Sequence, residues 1–189
     1  MGKTNKPDWV NYVAHVFTSG NSNLWLDDLG LKEKLIKNFG EIDYISDPID
    51  FQKFTDFYND EMGKNIRVEG RMISFKNLGS QAFLAEAKNI TNELEKEYTV
   101  DGKRKVNIDI GFVHHTQFVL ASTKHWGNRI YIGKGIFAEI TLIYVYGKWS
   151  SLEYSYVNFK NETYQQELEK IRNIYMPKRK EKMIKERKK

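Results

Sequence analysis

Residues 79–110 read GSQAFLAEAKNITNELEKEYTVDGKRKVNIDI, and this stretch decides the fold class because one clear helix precedes one clear strand in it. Apolar residues recur at spacings of three and four and form a single stripe, made of Phe83, Ala87, Ile90, Leu94 and Tyr98. After Asp101, apolar residues alternate with Asn107 and Asp109, as in a strand with one face in the core. The stretch therefore predicts a helix packed on a sheet.

The segments on either side extend this unit. The preceding residues predict a strand, a helix and two further strands, over 9–18, 31–39, 41–46 and 67–75. The resulting order is β-α-β-β-α-β, that of the ferredoxin-like split βαβ arrangement. Later residues predict a β-hairpin over 129–146 and a last helix that Pro177 stops, while 116–123 could form a short helix. We therefore expect an α+β fold with a ferredoxin-like βαββαβ core, extended by a C-terminal β-hairpin and helix, and a mainly antiparallel sheet.

The positive net charge of the chain is concentrated in its last 13 residues. The net charge of the 189 residues is +5, but the last 13 hold eight Lys and Arg against two Glu, so the other 176 carry −1. We expect an N-terminal arm over 1–8, a single α+β domain over 9–176 and a basic C-terminal tail over 177–189. Nucleic acid is then a possible partner only through Lys178–Lys189, and the alternative is that this tail only aids solubility.

Composition removes several classes of function. The chain has no cysteine, which excludes disulfide frameworks, cysteine-based zinc sites, iron–sulfur clusters and thiol nucleophiles. We find neither a secretory leader nor about 18 consecutive apolar residues, so we expect a cytoplasmic protein without a membrane partner.

One wall of a candidate pocket comes from the predicted hairpin. With a three-residue loop over Gly133–Gly135, Ile132 pairs with Ile136, and Arg129 faces Glu139. Glu139 and Thr141 would then be the polar residues of one strand face, opposite a continuous apolar face formed by Ile136, Ala138, Ile140, Leu142, Tyr144 and Tyr146. A carboxylate in that position is either paired or lines a cavity. The alternative is an ordinary cross-strand ion pair.

The second wall would come from Asn107 and Asp109, which leave the core face of their strand together. Lys124 lies in the segment that leads to Arg129, Lys134 lies in the hairpin loop, and the three cations would converge on the same place. Cations beside glycine-flanked backbone suit a phosphate or carboxylate group.

An aromatic and acidic segment over 54–63 adds two more candidates. Tyr58 and Glu61 place hydrogen-bonding groups beside large apolar side chains, as ligand-binding loops do. The alternative is a hydrophobic cover over the sheet.

The histidines are His15, His114, His115 and His125. His114-His115-Thr116 contains a single His-x-Thr motif, which phosphoesterases use in two copies. A metal site built from these histidines and Asp109 is a further alternative. We expect ordinary surface or loop histidines and no metal site.

Several blocks of the sequence resemble a known family. They cover 54–63, 91–94, 102–109, 119–124 and 129–141, with the third to fifth (GKRKVNID, VLASTK and RIYIGKGIFAEIT) the most specific. On these blocks residues 9–176 resemble domain of unknown function family 4416, an uncharacterised prokaryotic family. The resemblance implies that these blocks contain the functional residues, and a GTP-binding label on some members suggests nucleotides as ligands. The chain itself has neither a phosphate loop nor an Asn-Lys-x-Asp motif.

The residues favour a module that binds an anionic or phosphorylated small ligand, such as a nucleotide like GTP, and they indicate no particular cofactor. The predicted ligand-binding residues are Tyr58, Glu61, Asn107, Asp109, Lys124, Arg129, Lys134, Glu139 and Thr141. The first alternative is an enzyme with Asp109 or Glu139 as general base and Lys124 or Arg129 stabilising negative charge. The second is a scaffold or nucleic-acid-associated protein that acts through the basic tail.

Overall fold

A computed structural model of the chain describes residues 2, 4, 6–54, 62 and 66–188. The protein is α+β, and every strand pair recorded between these elements is antiparallel. The strands are β1 Trp9–Ser19, β2 Ile42–Ile45, β3 Ile49–Asp50, β4 Val68–Ser80, β5 Thr99–Val100, β6 Lys103–Arg104, β7 Val106–Val113, β8 Gln117–Ser122, β9 Ile130–Gly133, β10 Ile136–Val145 and β11 Lys148–Ser151. The α-helices are α1 Leu31–Phe39, α2 Leu84–Glu97, α3 Val157–Lys160 and α4 Glu162–Arg187. Short π- and 3₁₀-helices cover Leu24–Asp28, Phe51–Lys53 and Gln81–Phe83.

The described strands form one nine-stranded sheet and a separate hairpin of β5 and β6. The order in the large sheet is β11-β10-β8-β7-β1-β4-β2, with β3 beside β4 and β9 beside β10. Long strand β1 is an interior strand of this sheet, and both of its neighbours, β4 and β7, pair with it over most of its length.

Two apolar clusters cover the two faces. On one face, Val10, Ala14 and Val16 of β1 pack with α1 and α2. On the other, Val13 and Phe17 pack with α3 and α4. Because side chains alternate along β1, this strand contributes to the apolar clusters on both faces of the sheet. Helix α4 covers the face that carries the predicted site residues.

Helix α4 is longer than its sequence predicts. Pro177 lies inside the helix, which continues to Arg187 instead of ending there. Contacts with the sheet explain this, because Lys178 donates to Asn11 and to Asp43, and Arg179 donates to Asp8. These bonds offset the backbone hydrogen bond that proline cannot make. At the other end, Asn161 caps the helix by accepting from the amide of Thr163 at 2.9 Å.

The predicted pairing of the hairpin is right along the strands and wrong at the turn. Tyr131 pairs with Phe137 and Ile130 with Ala138 as expected, but Ile136 pairs with Gly133 rather than with Ile132. The reason is a tighter turn, in which Lys134 and both flanking glycines adopt positive φ angles.

A β-bulge in β10 breaks the predicted apolar face. Ile140 pairs with Val119 and Leu142 with Phe118, so Thr141 is the extra residue between them. The bulge reverses the alternation, and Leu142 and Tyr144 join the α4 side of the sheet while Tyr146 is fully exposed. Residues 116–123, for which a short helix was one expectation, form strand β8 instead.

Strands β7 and β8 pair only at one end. Their pairs are Gly111 with Leu120, Phe112 with Val119 and Val113 with Phe118. Beyond Gly111, β7 stays with β1 while β8 stays with β10 as far as Ser122. A Cβ atom on Gly111 would lie 2.2 Å from the carbonyl oxygen of Val119, so only glycine permits the approach at the point of divergence. The sheet therefore opens into a cleft between the two strands.

Candidate functional site

A cavity of about 400 Å³ occupies the cleft between β7 and β8. This volume lies in the range of small-molecule sites. Its walls come from β1, the segment Phe51–Phe54, α2, β6, β7, β8, the β8–β9 loop, β10 and the segment that begins α3. The site is therefore formed where several elements meet at a break in the sheet.

The open edge of β7 is satisfied by side chains instead of a neighbouring strand. The amide of Ile108 donates to Glu95 Oε1 at 2.8 Å, and Lys88 Nζ donates to the carbonyl of Ile108 at 2.8 Å. Lys88 and Glu95 are seven residues apart on α2, so both project from the same helix face. Arg104 of β6 donates to the second oxygen of Glu95 at 2.5 Å. These side chains take the place of β8 as hydrogen-bond partners of the β7 backbone, where the two strands no longer pair.

The second wall is organised by Arg129. Its Nε donates to Glu139 Oε2 at 2.9 Å, one NH₂ group donates to the carbonyl of Lys124 at 2.9 Å, and the other donates to the hydroxyl of Tyr156. Burial alone would lower the pKa of Arg129, but its hydrogen bonds and electrostatic interactions with Glu139 and Tyr156 together outweigh burial and raise the pKa. The guanidinium therefore remains charged and joins β10, the β8–β9 loop and the residue that precedes α3.

Glu139 is 3% exposed and has one oxygen free of protein partners among the described residues. Its Oε2 takes the bond from Arg129, whereas Oε1 is buried without a hydrogen bond. Asn158 is 6% exposed, and its Nδ2 is also buried without a hydrogen-bond partner among the described residues. Both residues line the cavity. The cavity thus contains a buried acceptor and a buried donor, and such groups are costly unless a partner binds them.

The floor of the cavity is polar on β7 and aromatic around β1. Asn107 Nδ2 donates to Asp109 Oδ1 at 3.0 Å, and Asp109 pairs with His15 across the β1–β7 ladder. His15 Nε2 lies 3.0 Å from the hydroxyl of Tyr164. Burial lowers the pKa of His15 to about 3, so the imidazole is neutral at pH 7. Gly70 permits this contact, since a Cβ there would lie 2.8 Å from the hydroxyl of Tyr164.

The charges that line the cavity are mainly positive. The cations are Lys88, Arg104, Lys124 and Arg129, and the lining carboxylates are Asp109 and Glu139. Glu95 partly offsets this excess from behind Lys88 and Arg104. An anionic group is therefore favoured in the cavity, while the remaining acceptor on Glu139 favours a hydrogen-bond donor.

Five of the nine predicted site residues line the cavity: Asn107, Asp109, Lys124, Arg129 and Glu139. Two others are placed elsewhere. Lys134 extends from the hairpin turn to pair with Glu86 on α2, and its side chain is 62% exposed. Thr141 is fully buried in the β10 bulge and does not line the cavity. Tyr58 and Glu61 lie outside the described residues.

The sequence interpretation missed several lining residues, among them His15, Lys88, Arg104, Tyr156 and Asn158. One signal was available for Lys88, because it precedes Glu95 by two helical turns and the two residues therefore share a face beside the apolar stripe. Tyr156 ends the connection between β11 and α3 and Asn158 lies in α3, and no local pattern placed either residue beside β7.

The basic C-terminal segment is partly committed to contacts within the chain. Lys178 Nζ lies 2.6 Å from Asp43 Oδ2, and Arg179 Nε lies 2.6 Å from Asp8 Oδ2. The ammonium of Lys182 lies 4.1 Å from the centre of the Trp9 ring. Fewer cations of this segment are therefore available to a nucleic acid than its composition suggests.

None of the helices in the described residues combines the length and the hydrophobicity that crossing a bilayer requires.

Comparison with known proteins identifies a family without an assigned activity. The model of that family, described as Domain of unknown function (DUF4416), matches residues 8–175. No curated protein and no solved structure matches the chain.

Proposed function

We propose that this chain, which belongs to the DUF4416 family, binds an anionic small molecule in the cavity between β7 and β8. The observation that carries the proposal is the combination of a cavity of about 400 Å³ with an excess of cations and two buried polar atoms without partners. Packing alone does not account for this combination, since a closed core leaves few such atoms.

The lining residues define the chemical class of the ligand. Lys124 and the neighbouring cations favour a phosphate or carboxylate group. Glu139 Oε1 accepts a hydrogen bond, which calls for a hydroxyl, an amine or a ring N–H group. Phe51, Phe54 and Phe159 offer apolar surface for a ring or a short hydrocarbon portion. A nucleotide such as GTP combines these three features, and so do phosphorylated sugars and aromatic acids.

A thermal-shift screen with a matched pair of lysine variants tests the proposal. The probes are inorganic phosphate, ATP, GTP, a phosphorylated hexose and an aromatic carboxylate. Lys124→Ala changes a lysine that lines the cavity, and Lys134→Ala changes one that lies outside it. We expect at least one probe to stabilise the unmodified protein and Lys134→Ala equally, with a shift at least halved in Lys124→Ala.

Two results contradict the proposal. One is the absence of any stabilising probe, and the other is an equal loss of the shift in both lysine variants, which indicates unspecific attraction to positive charge.

Glu139 also supports a second candidate, a reaction by general base catalysis on the bound molecule. Its free oxygen can accept a proton from a ligand group while Arg129 holds the other oxygen. Asp109 provides a second carboxylate on the opposite strand. Mass spectrometry of stabilising probes after incubation tests this candidate, with Glu139→Gln and Asp109→Asn as comparisons. Turnover that either variant abolishes supports an enzyme, and unchanged probes leave a binding module.

We also propose that β1, α1, β2, β4, α2 and β7 form a ferredoxin-like core. The neighbours β2, β4, β1 and β7 pair in this order and antiparallel, and α1 and α2 pack on the same face. This order agrees with two interleaved βαβ units. An experimental structure in which β1 does not lie between β4 and β7 would contradict it.

A further inference from the structure

Three potential metal ligands meet at the end of β7 that is remote from the cavity. Asp8 immediately precedes β1, and His114 and His115 form the turn from β7 to β8. The antiparallel pairing of Asn11 with Val113 brings the start of β1 to this turn. One ligand atom from each of the three residues lies within 4.8 Å of the other two. The cluster is thus produced by strand register, and sequence spacing alone did not reveal Asp8.

The distances in the cluster differ from those of hydrogen bonds. Asp8 Oδ2 lies 3.6 Å from Nε2 of His114 and 3.5 Å from Nδ1 of His115. Hydrogen bonds between nitrogen and oxygen are about 2.7–3.2 Å long. Ligand atoms that share a tetrahedral zinc ion at about 2.0–2.1 Å are about 3.3–3.4 Å apart. Both imidazoles therefore face the carboxylate at a spacing close to that of a shared metal ion.

The orientation of the two rings fits the same role. His114 Nδ1 lies 3.0 Å from the hydroxyl of Thr116, which leaves Nε2 directed at Asp8. Metal-binding histidines commonly use their second nitrogen in this way. Nδ1 of His115 is buried and has no hydrogen-bond partner among the described residues. A metal ion would satisfy this atom.

We propose that Asp8, His114 and His115 form a binding site for a divalent transition metal ion, with solvent completing the coordination. Two imidazoles and one carboxylate suit Zn²⁺ and its neighbours in the first transition row better than Mg²⁺ or Ca²⁺. The site ties the start of β1 to the β7–β8 turn, and it is independent of the cavity and of the ligand proposed for it.

Arg179 competes with the metal ion for the same oxygen. Its Nε donates to Asp8 Oδ2 at 2.6 Å. Arg172 adds a second positive charge nearby, because it donates to the carbonyl of His115 at 3.2 Å. A metal ion must displace Arg179 and overcome the repulsion from both guanidinium groups. The site is consequently weak and exchangeable, and removal of Arg179 strengthens it.

The test is titration of the full chain with Co²⁺, whose visible absorption reports tetrahedral coordination, followed by competition with Zn²⁺. The variants are Asp8→Asn, His115→Ala and Arg179→Gln, and the control is His125→Ala, a histidine outside the cluster that packs against Phe137. We expect one Co²⁺ per chain, at least tenfold weaker binding in Asp8→Asn and His115→Ala, unchanged binding in His125→Ala, and at least tenfold tighter binding in Arg179→Gln.

Other results overturn the proposal. Absence of a tetrahedral Co²⁺ spectrum in both the unmodified chain and Arg179→Gln excludes the site. Equal affinity of the unmodified chain and His115→Ala places any bound ion elsewhere. An affinity of Arg179→Gln no higher than that of the unmodified chain refutes the competition. Circular dichroism of each variant confirms that it is folded before titration.

Discussion

Acid will destabilise the protein through His15, which lines the cavity and packs among aromatic rings. In the unfolded chain this imidazole takes up a proton near pH 6.5. In the folded protein burial lowers its pKa to about 3. Between these two values the unfolded state binds more protons than the folded state. Stability is therefore greatest above about pH 6.5 and decreases as the pH falls toward 3.

The size of the effect follows from the two pKa values. Each pH unit within this window costs about 1.4 kcal/mol of unfolding free energy. Relative to pH 7, the contribution of His15 should be a loss of about 2 kcal/mol at pH 5 and about 3 kcal/mol at pH 4. A loss of this size is a large part of the stability of an ordinary domain.

Urea denaturation at several pH values, followed by tryptophan fluorescence, measures this loss. The control is His15→Gln, because glutamine can still bond to Tyr164 but does not titrate. The difference between the two proteins isolates His15 from other groups such as His114, whose pKa burial and the nearby His115 lower to about 4. We expect the stability advantage of the unmodified protein to shrink by about 2 kcal/mol from pH 7 to pH 5.

A direct titration of the folded protein checks the same reasoning without a variant. The NMR signal of the His15 ring should stay constant from pH 7 to about pH 4. A midpoint near 6.5 in the folded state, or a constant difference between the two proteins across the pH range, would refute the reasoning.

The other predictions concern the architecture around the cavity. Gly111→Ala should destabilise the protein by about 1–3 kcal/mol, because its Cβ meets the carbonyl of Val119, whereas Gly127→Ala, with open space around it, should change stability by less than about 0.5 kcal/mol in the same urea assay. Glu95→Ala should cost about 3–5 kcal/mol, since it removes the carboxylate partner of buried Lys88 and the acceptor of an amide of β7. Glu97→Ala, which removes an exposed ion pair, should cost at most about 1 kcal/mol. Equal losses of stability in calorimetry would contradict the claim that Glu95 stabilises the open edge of β7.

The elements with a strong local period were predicted well. Alternation at Val106, Ile108 and Ile110 identified β7 and the face that carries Asn107 and Asp109. The stripe from Phe83 to Tyr98 identified α2. In these segments the local pattern and the tertiary core agree, so periodicity suffices.

The errors occur where a distant contact decides the local structure. The bulge at Thr141 shifts the register between β10 and β8. The alternation of apolar and polar residues over 136–146 gives no sign of it. Pro177 stays inside α4 because Lys178 and Arg179 bind the start of β1 and its neighbours. Residues 116–123 were too short to classify by period, and strand pairing on both sides makes them β8.

The candidate site was predicted in part for the same reason. Arg129 and Glu139 are opposed within one hairpin, so local register sufficed to bring them together. The divergence of β7 and β8 depends on where each strand finds its other partner, which a single sequence does not reveal. The contributions of His15, Tyr156 and Asn158 follow from that divergence and from the path of the chain into α4.

The most direct test of the ligand-binding claim is an NMR titration of the ¹⁵N-labelled protein with GTP or whichever other probe stabilises it. The account predicts that the perturbed backbone amides cluster around the cavity, at residues such as Asn107, Ser122 and Asn158. Perturbations confined to the basic end of α4, over residues 178–188, would contradict it, because they would place the anion on the surface of the helix and leave the cavity empty.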